Sequence, residues 1–114
     1  MPPEQLQLPL TPAVFFILFA LADGEKHGYA IMQEVSLLSG GKFRMGPGTL
    51  YTTIQRLLDL SLIEETKDSI EEEGRRRYYQ LTRAGQSLFE AELSRMDAVL
   101  RLAQRKKLAQ QGAQ

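Results

Sequence analysis

Thr49, Tyr51, Thr52, Gln55 and Arg56 fall in the stretch GTLYTTIQRLLDL, and their types suit hydrogen bonding at a surface rather than bond making. Stepping about 100° per residue from Leu50 puts Ile54, Leu57, Leu58 and Ser61 near one side of a helix. Thr52, Gln55, Arg56 and Asp59 then point away, with Thr49 and Tyr51 on the flanks. Short hydroxyls, an amide and a guanidinium on one free face fit base edges and phosphates. Asp59 opposes phosphate, so the last turn is expected outside any groove. Bond-making chemistry has little to draw on. The 114 residues include no cysteine and one histidine, His27, which removes thiolate metal sites, most zinc sites and most Ser-His or Cys-His triads. No stretch brings a nucleophile, a base and an orienting group together. No catalytic residue, metal ligand or cofactor is expected, and the chain does not read as an enzyme.

The composition is that of one globular domain: 43% hydrophobic, 25% charged, with 14 basic and 14 acidic side chains that cancel. Any electrostatic partner must therefore be held by local clusters. The apolar run Ala13 to Ala22 is about half of the ~20 residues a membrane span needs, and only Glu4 is charged before it. It reads as a buried or interfacial helix of a cytoplasmic protein, with no membrane partner.

The positioning elements follow from punctuation and period. Residues 1–10 carry three prolines and read as an N-terminal arm. Thr11 offers an N-cap and Pro12 a first helical position for a helix reaching Ala22. That helix is apolar nearly all round, so a second chain is expected to cover Phe15, Phe16 and Phe19. Gly28 opens a second helix, with Tyr29, Ile31, Met32, Val35, Leu37 and Leu38 as its apolar positions; the third helix is LYTTIQRLLDL. LIEETK and RRRYYQLT, separated by DSIEEEG, predict a hairpin with a charged tip. Thr82 can cap a final helix from Arg83 to about Leu108, whose Phe89, Leu93, Met96, Leu100 and Ala103 recur at steps of four and three. Such a seam asks for a partner helix. The expected organisation is a winged helix-turn-helix over 11–82, a C-terminal dimerisation helix over 83–108 and a tail over 109–114. The fold class is mostly α with a two-stranded β-wing.

The stretches HGYAIMQEV, MGPGTLYTTIQRLLDLSLIEE and GRRRYYQLTRAGQ, in this order, resemble the PadR family of bacterial transcriptional regulators. The resemblance covers roughly Leu10 to Leu108, and it rests on PGTLY followed by the RRRYYQLT hairpin. It implies a homodimeric repressor on a palindromic operator in double-stranded DNA, joined through the C-terminal helix and often the first. It also implies the short subfamily, which lacks an extended C-terminal domain. A small-molecule effector is left open; the absence of tryptophan argues against planar drugs. Two positions depart from the family pattern. Ser61 replaces a usual glycine, at a cost of about 1 kcal/mol if the backbone is left-handed there. Thr52 stands where proline is common, so operator preference is expected to differ.

Several residues keep two readings. Tyr51 either packs on the wing or offers its hydroxyl to a phosphate. Thr49 either caps the helix start or meets a phosphate there. Gln55 and Arg56 are either solvated or read bases and phosphates. Arg75, Arg76 and Arg77 either touch phosphate or minor groove, or form a salt-linked tip with Glu71, Glu72 and Glu73; strand alternation sends Arg76 away from its two neighbours. Lys42, Arg44 and Lys67 are secondary phosphate candidates. Arg105, Lys106 and Lys107 complement a helix C-terminus. His27 reads as a turn residue, with an effector or pH role as the alternative. Phe89 and Met96 either pack across a dimer or line a ligand cavity. The rival to DNA binding is a winged helix that grips a protein with its acidic tip.

Overall fold

Val14 donates its backbone N–H to Thr11 Oγ1 at 3.3 Å and so starts the first helix, α1 (Pro12–Ala20), at the residue the cap predicts. The structure is a computed structural model that describes residues 6–71 and 74–112, with side chains at all of these except 67–71 and 74–75. After α1 come β1 (Lys26–His27), α2 (Gly28–Leu38), α3 (Pro47–Asp59), β2 (Ile63–Glu71), β3 (Gly74–Leu81) and α4 (Arg83–Gly112). The antiparallel sheet has the order β1-β3-β2.

α1 is the hub. It packs on α2, α3 and α4, and Val14, Ile17, Leu18 and Ala20 are buried. It stops at Ala20, short of the expected Ala22, because Leu21 turns out of the helix and the chain reverses at Gly24. The apolar girdle expected to meet a second chain is partly covered within this one. Phe15 and Phe19 lie 5.6 and 5.7 Å from the ring of Phe89, and Phe16 stacks on Phe43 at 5.9 Å. In α2, Ile31 and Val35 enter the core while Tyr29 and Leu37 face outward. Met45 is buried before α3, and Leu50, Ile54 and Leu57 line its inner face.

The hairpin is longer than LIEETK and RRRYYQLT suggest. Asp68 to Glu71 continue β2, paired with Arg77 to Gly74, and the register shifts between Glu65 and Lys67. Thr66, at that bulge, buries a hydroxyl with no hydrogen-bond partner among the described residues. The wing also gains a third strand. Lys26 pairs with Tyr79 and His27 with Tyr78, a two-residue contact too short to leave a period in sequence.

Ser61 falls outside the core side predicted for it. Its φ of 59° takes the chain out of α3, and the residue is exposed. Ser61 O accepts the Thr82 hydroxyl at 2.7 Å, and Thr82 Oγ1 accepts Gly85 N–H at 3.1 Å. One threonine thereby joins the end of α3 to the start of α4. Gly85 sits so close to the turn before β2 that a Cβ there would stand 3.0 Å from the Leu62 carbonyl carbon and closer still to its oxygen. α4 runs to Gly112, past the Leu108 boundary and into the stretch read as a tail, since Ala109, Gln110 and Gln111 all favour helix. Arg105, Lys106 and Lys107 therefore precede the last turn instead of occupying it.

Candidate nucleic-acid interface

The outer face of α3 carries Thr49, Tyr51, Thr52, Gln55, Arg56 and Asp59, all exposed. The helix begins at Pro47, three residues before the predicted Leu50, with Gly46 as its N-cap and no side-chain cap bond. Proline at the first helical position explains the earlier start. Thr49 is thus inside the first turn and does not cap it. Gln55 Nε2 donates to Asp59 Oδ1 at 2.9 Å, and Thr53 donates its hydroxyl to Thr49 O at 2.7 Å. Arg56 borders a shallow cavity with Tyr51, Thr52, Gln55 and Asp59, and a second one with Leu6, Pro9 and Leu10 of the arm. The arm thus lies beside α3, and Leu6 and Leu10 pack on the core.

Tyr51 is 51% exposed, and its ring lies on the first residue of α2. A Cβ on Gly28 would stand 2.9 Å from Tyr51 Cζ, so a side chain there would push the tyrosine ring aside. Neither reading of Tyr51 from sequence includes that contact. Across the same cavity stand Arg76 and Arg77. Arg76 Nη1 is 2.9 Å from His27 Nε2, while Arg77 Nε is 3.7 Å from Glu65 Oε1. Arg76 thus reaches a residue of β1 and Arg77 one of β2, although both border the same cavity. Arg44 is exposed in the loop before α3. The side chains of Lys67, Glu71 and Arg75, together with Glu72 and Glu73, lie outside the described residues.

The residues assigned from sequence to a contact between chains divide. Phe89 is 7% exposed within its own chain, and Phe15, Phe16 and Phe19 are largely covered around it and Phe43. Leu93, Met96, Leu100 and Ala103 stand at the surface, as do Val99 and Leu102. They form an apolar stripe on the outer part of α4. Glu92, just before the stripe, is buried and ion-paired with Arg95. That hydrogen bond, helped by the backbone N–H of Leu10, holds its carboxyl below the usual glutamate range against the opposing effect of burial. The arginine is pushed up by the same partner. Among the described residues no group of acidic, histidine or cysteine side chains could hold a metal, and no helix is long and apolar enough to cross a membrane.

Four helices and a small antiparallel sheet that flanks an exposed third helix define a winged helix-turn-helix protein. Residues 17–91 match the model of the transcriptional regulator PadR-like family, and the chain belongs to that family. It is 43% identical over 84 residues to an uncharacterized 37.1 kDa protein in transposon TN4556 of Streptomyces fradiae. That match covers 74% of this chain but spans only 23% of the relative's length. A crystal structure of a PadR family transcription regulator from Clostridium difficile superposes with a TM-score of 0.70 at 23% identity, covering 83% of this chain and 97% of that one. Bacillus subtilis PadR in complex with operator DNA gives a TM-score of 0.66 at 23% identity, covering 75% of this chain and 47% of the other. At such identities the likeness is one of fold.

Proposed function

We propose that this chain is a cytoplasmic, sequence-specific DNA-binding regulator, a homodimeric repressor on a palindromic operator. The observation that carries the reading is the outer face of α3. Its inner face is filled by Leu50, Ile54 and Leu57, while Thr49, Thr52, Gln55 and Arg56 stand outward and exposed, with Tyr51 half-exposed over Gly28. In this reading α3 enters the major groove and the β2–β3 wing follows the backbone beside it. Gln55 and Thr52 address bases, Arg56 and Thr49 phosphates, and Arg44, Lys67, Arg75, Arg76 and Arg77 add charge at the edges. The operator-bound relative supports this choice over a protein-gripping module. The apolar stripe of α4 supplies the contact between copies, which sets two recognition helices about 34–36 Å apart. An effector is part of the proposal only as an occupant of the space between copies.

The deciding experiment is selection of genomic fragments by the purified protein, followed by titration of the recovered duplex at two salt concentrations. With about 6–10 phosphates neutralised by the dimer, affinity falls by roughly 10³–10⁵ between about 50 and 200 mM salt. A flat salt response, or recovery of no fragment, removes the proposal. Arg56→Ala weakens the same duplex without loosening the dimer; unchanged affinity would mean that α3 is turned differently in the groove.

A further inference from the structure

Arg56 divides two depressions. On one side lies the α3 face with Tyr51, Thr52, Gln55 and Asp59. On the other lies a cleft of about 270 Å³ that Arg56 shares with Leu6, Pro9 and Leu10 of the arm. An arginine stem is long and flexible, and nearby apolar surface limits where it can lie. Residues 6–10 carry no charge, so this stretch of the arm offers a phosphate no counter-charge of its own. What it does is bound the space open to Arg56. The arginine takes part in further interactions as well, and the arm adds a wall to them.

The arm is fastened in two ways. Leu6 and Leu10 pack on the core, and the Leu10 backbone N–H donates to Glu92 Oε2 at 2.7 Å. Glu92 is buried, and its other oxygen accepts Arg95 Nε. A buried carboxylate is costly unless its oxygens are bonded, and here each has a donor. Arg95 is half-exposed at the surface of α4, whereas Leu10 belongs to the segment that passes Arg56. The bond to Leu10 is thus the polar tie that ties α4 to the wall of the Arg56 cleft.

We propose that Glu92 is a positioning residue for DNA recognition: through the Leu10 N–H it keeps the arm beside Arg56, and the arm narrows the directions open to the guanidinium before DNA arrives. A side chain already restricted loses less freedom on binding, so affinity rises without a new contact to DNA. The proposal rests on the DNA-binding reading above, and its test separates the two. The probe is the shortest genomic duplex the protein retains, titrated well below the melting temperature of every variant. Glu92→Leu removes the acceptor and fills its space, Glu92→Ala removes acceptor and volume together, and Glu92→Gln keeps a carbonyl oxygen for Leu10. Each is made with Arg56 and with Arg56→Ala, as a double-mutant cycle. Glu92→Leu and Glu92→Ala should weaken binding roughly tenfold with Arg56 present and less than about twofold with it absent. Glu92→Gln should stay within about twofold of wild type. Leu6→Ala loosens the far end of the arm with Glu92 intact and should show the same dependence on Arg56; it carries the test if the Leu and Ala variants of Glu92 do not fold. Wild-type affinity in the folded variants, equal losses with and without Arg56, or Glu92→Gln as weak as Glu92→Ala overturns the positioning role while DNA binding stands. If Arg56→Ala alone changes nothing, Glu92 has nothing to act through and the role falls as well. If wild type retains no DNA, both readings fall.

Discussion

Glu92 Oε2 accepts the backbone N–H of Leu10 at 2.7 Å, across 82 positions of sequence. The carboxylate is 2% exposed and also accepts Arg95 Nε. One buried acid on α4 thus holds the entry to α1, and with it the arm that lies beside Arg56. The stability of the hub and the placing of the arm beside the outer face of α3 meet at this residue.

That bond predicts an acid limit. The Glu92 carboxyl is depressed in the folded chain, so its contribution is full above the unfolded-state value, near pH ~4.3. It is lost as pH falls through the lower folded value. Thermal melting between about pH 6 and pH 3 should therefore fall more steeply for wild type than for Glu92→Gln. Parallel curves would mean that other carboxylates govern acid unfolding. Glu92→Ala should cost about 1–3 kcal/mol by leaving the Leu10 N–H without its acceptor.

Two helical glycines should respond in opposite directions. At Gly85 a methyl group collides with the Leu62 backbone, which cannot rotate away, and Gly85→Ala should destabilise by about 1–3 kcal/mol or more. At Gly48 a methyl group would meet nothing within 4 Å among the described residues, so Gly48→Ala should stabilise by about 0.4–1 kcal/mol. Urea denaturation of the two variants checks both signs at once. Equal effects would mean that α4 stands further from Leu62 than the Gly85 contact requires.

Ser61 sits at φ 59°, where an L side chain is strained and glycine is not. Ser61→Gly should raise stability by about 1 kcal/mol. The hydrogen bond from Thr82 is unaffected, because it is accepted by the Ser61 backbone oxygen. No gain in denaturation midpoint would indicate that the serine relaxes this turn by another route.

The α4 stripe gives a prediction about assembly. Leu100 is 55% exposed and far from the core residues Gly85, Phe89 and Glu92 of the same helix. If the chains pair as proposed, Leu100→Lys should yield single chains in light scattering while leaving the melting near that of isolated wild-type chains. Retention of the dimer would move the contact elsewhere, with Phe15, Phe16 and Phe19 as the next surface to test.

Local order is legible in the residues themselves. The Thr11 and Thr82 caps, the inner face of α3 and the hairpin all follow from side-chain type and period, because a helix or strand repeats its environment every few residues. The outward Thr52, Gln55 and Arg56 are legible for the same reason: once Leu50 is placed inward, a helix dictates where its neighbours point. Thr49 suits a cap only while Pro47, the stronger start signal, is left out of account. The last turn of α4 is harder to read, because glutamines serve a polar tail as well as a helix.

What the chain alone determined is therefore the four helices and the two hairpin strands, and most of the faces they turn inward; the short strand β1 was not among them. Tertiary structure decided the meetings between elements that no period encodes: His27 with Arg76, Tyr51 on Gly28, Glu92 under Leu10, Phe89 among the α1 rings. Each joins residues separated by 23 to 82 positions or packs an apolar surface that the sequence could assign equally well to a second copy. Apolar character states that a face must be covered. Only the packing of the whole chain settles what covers it.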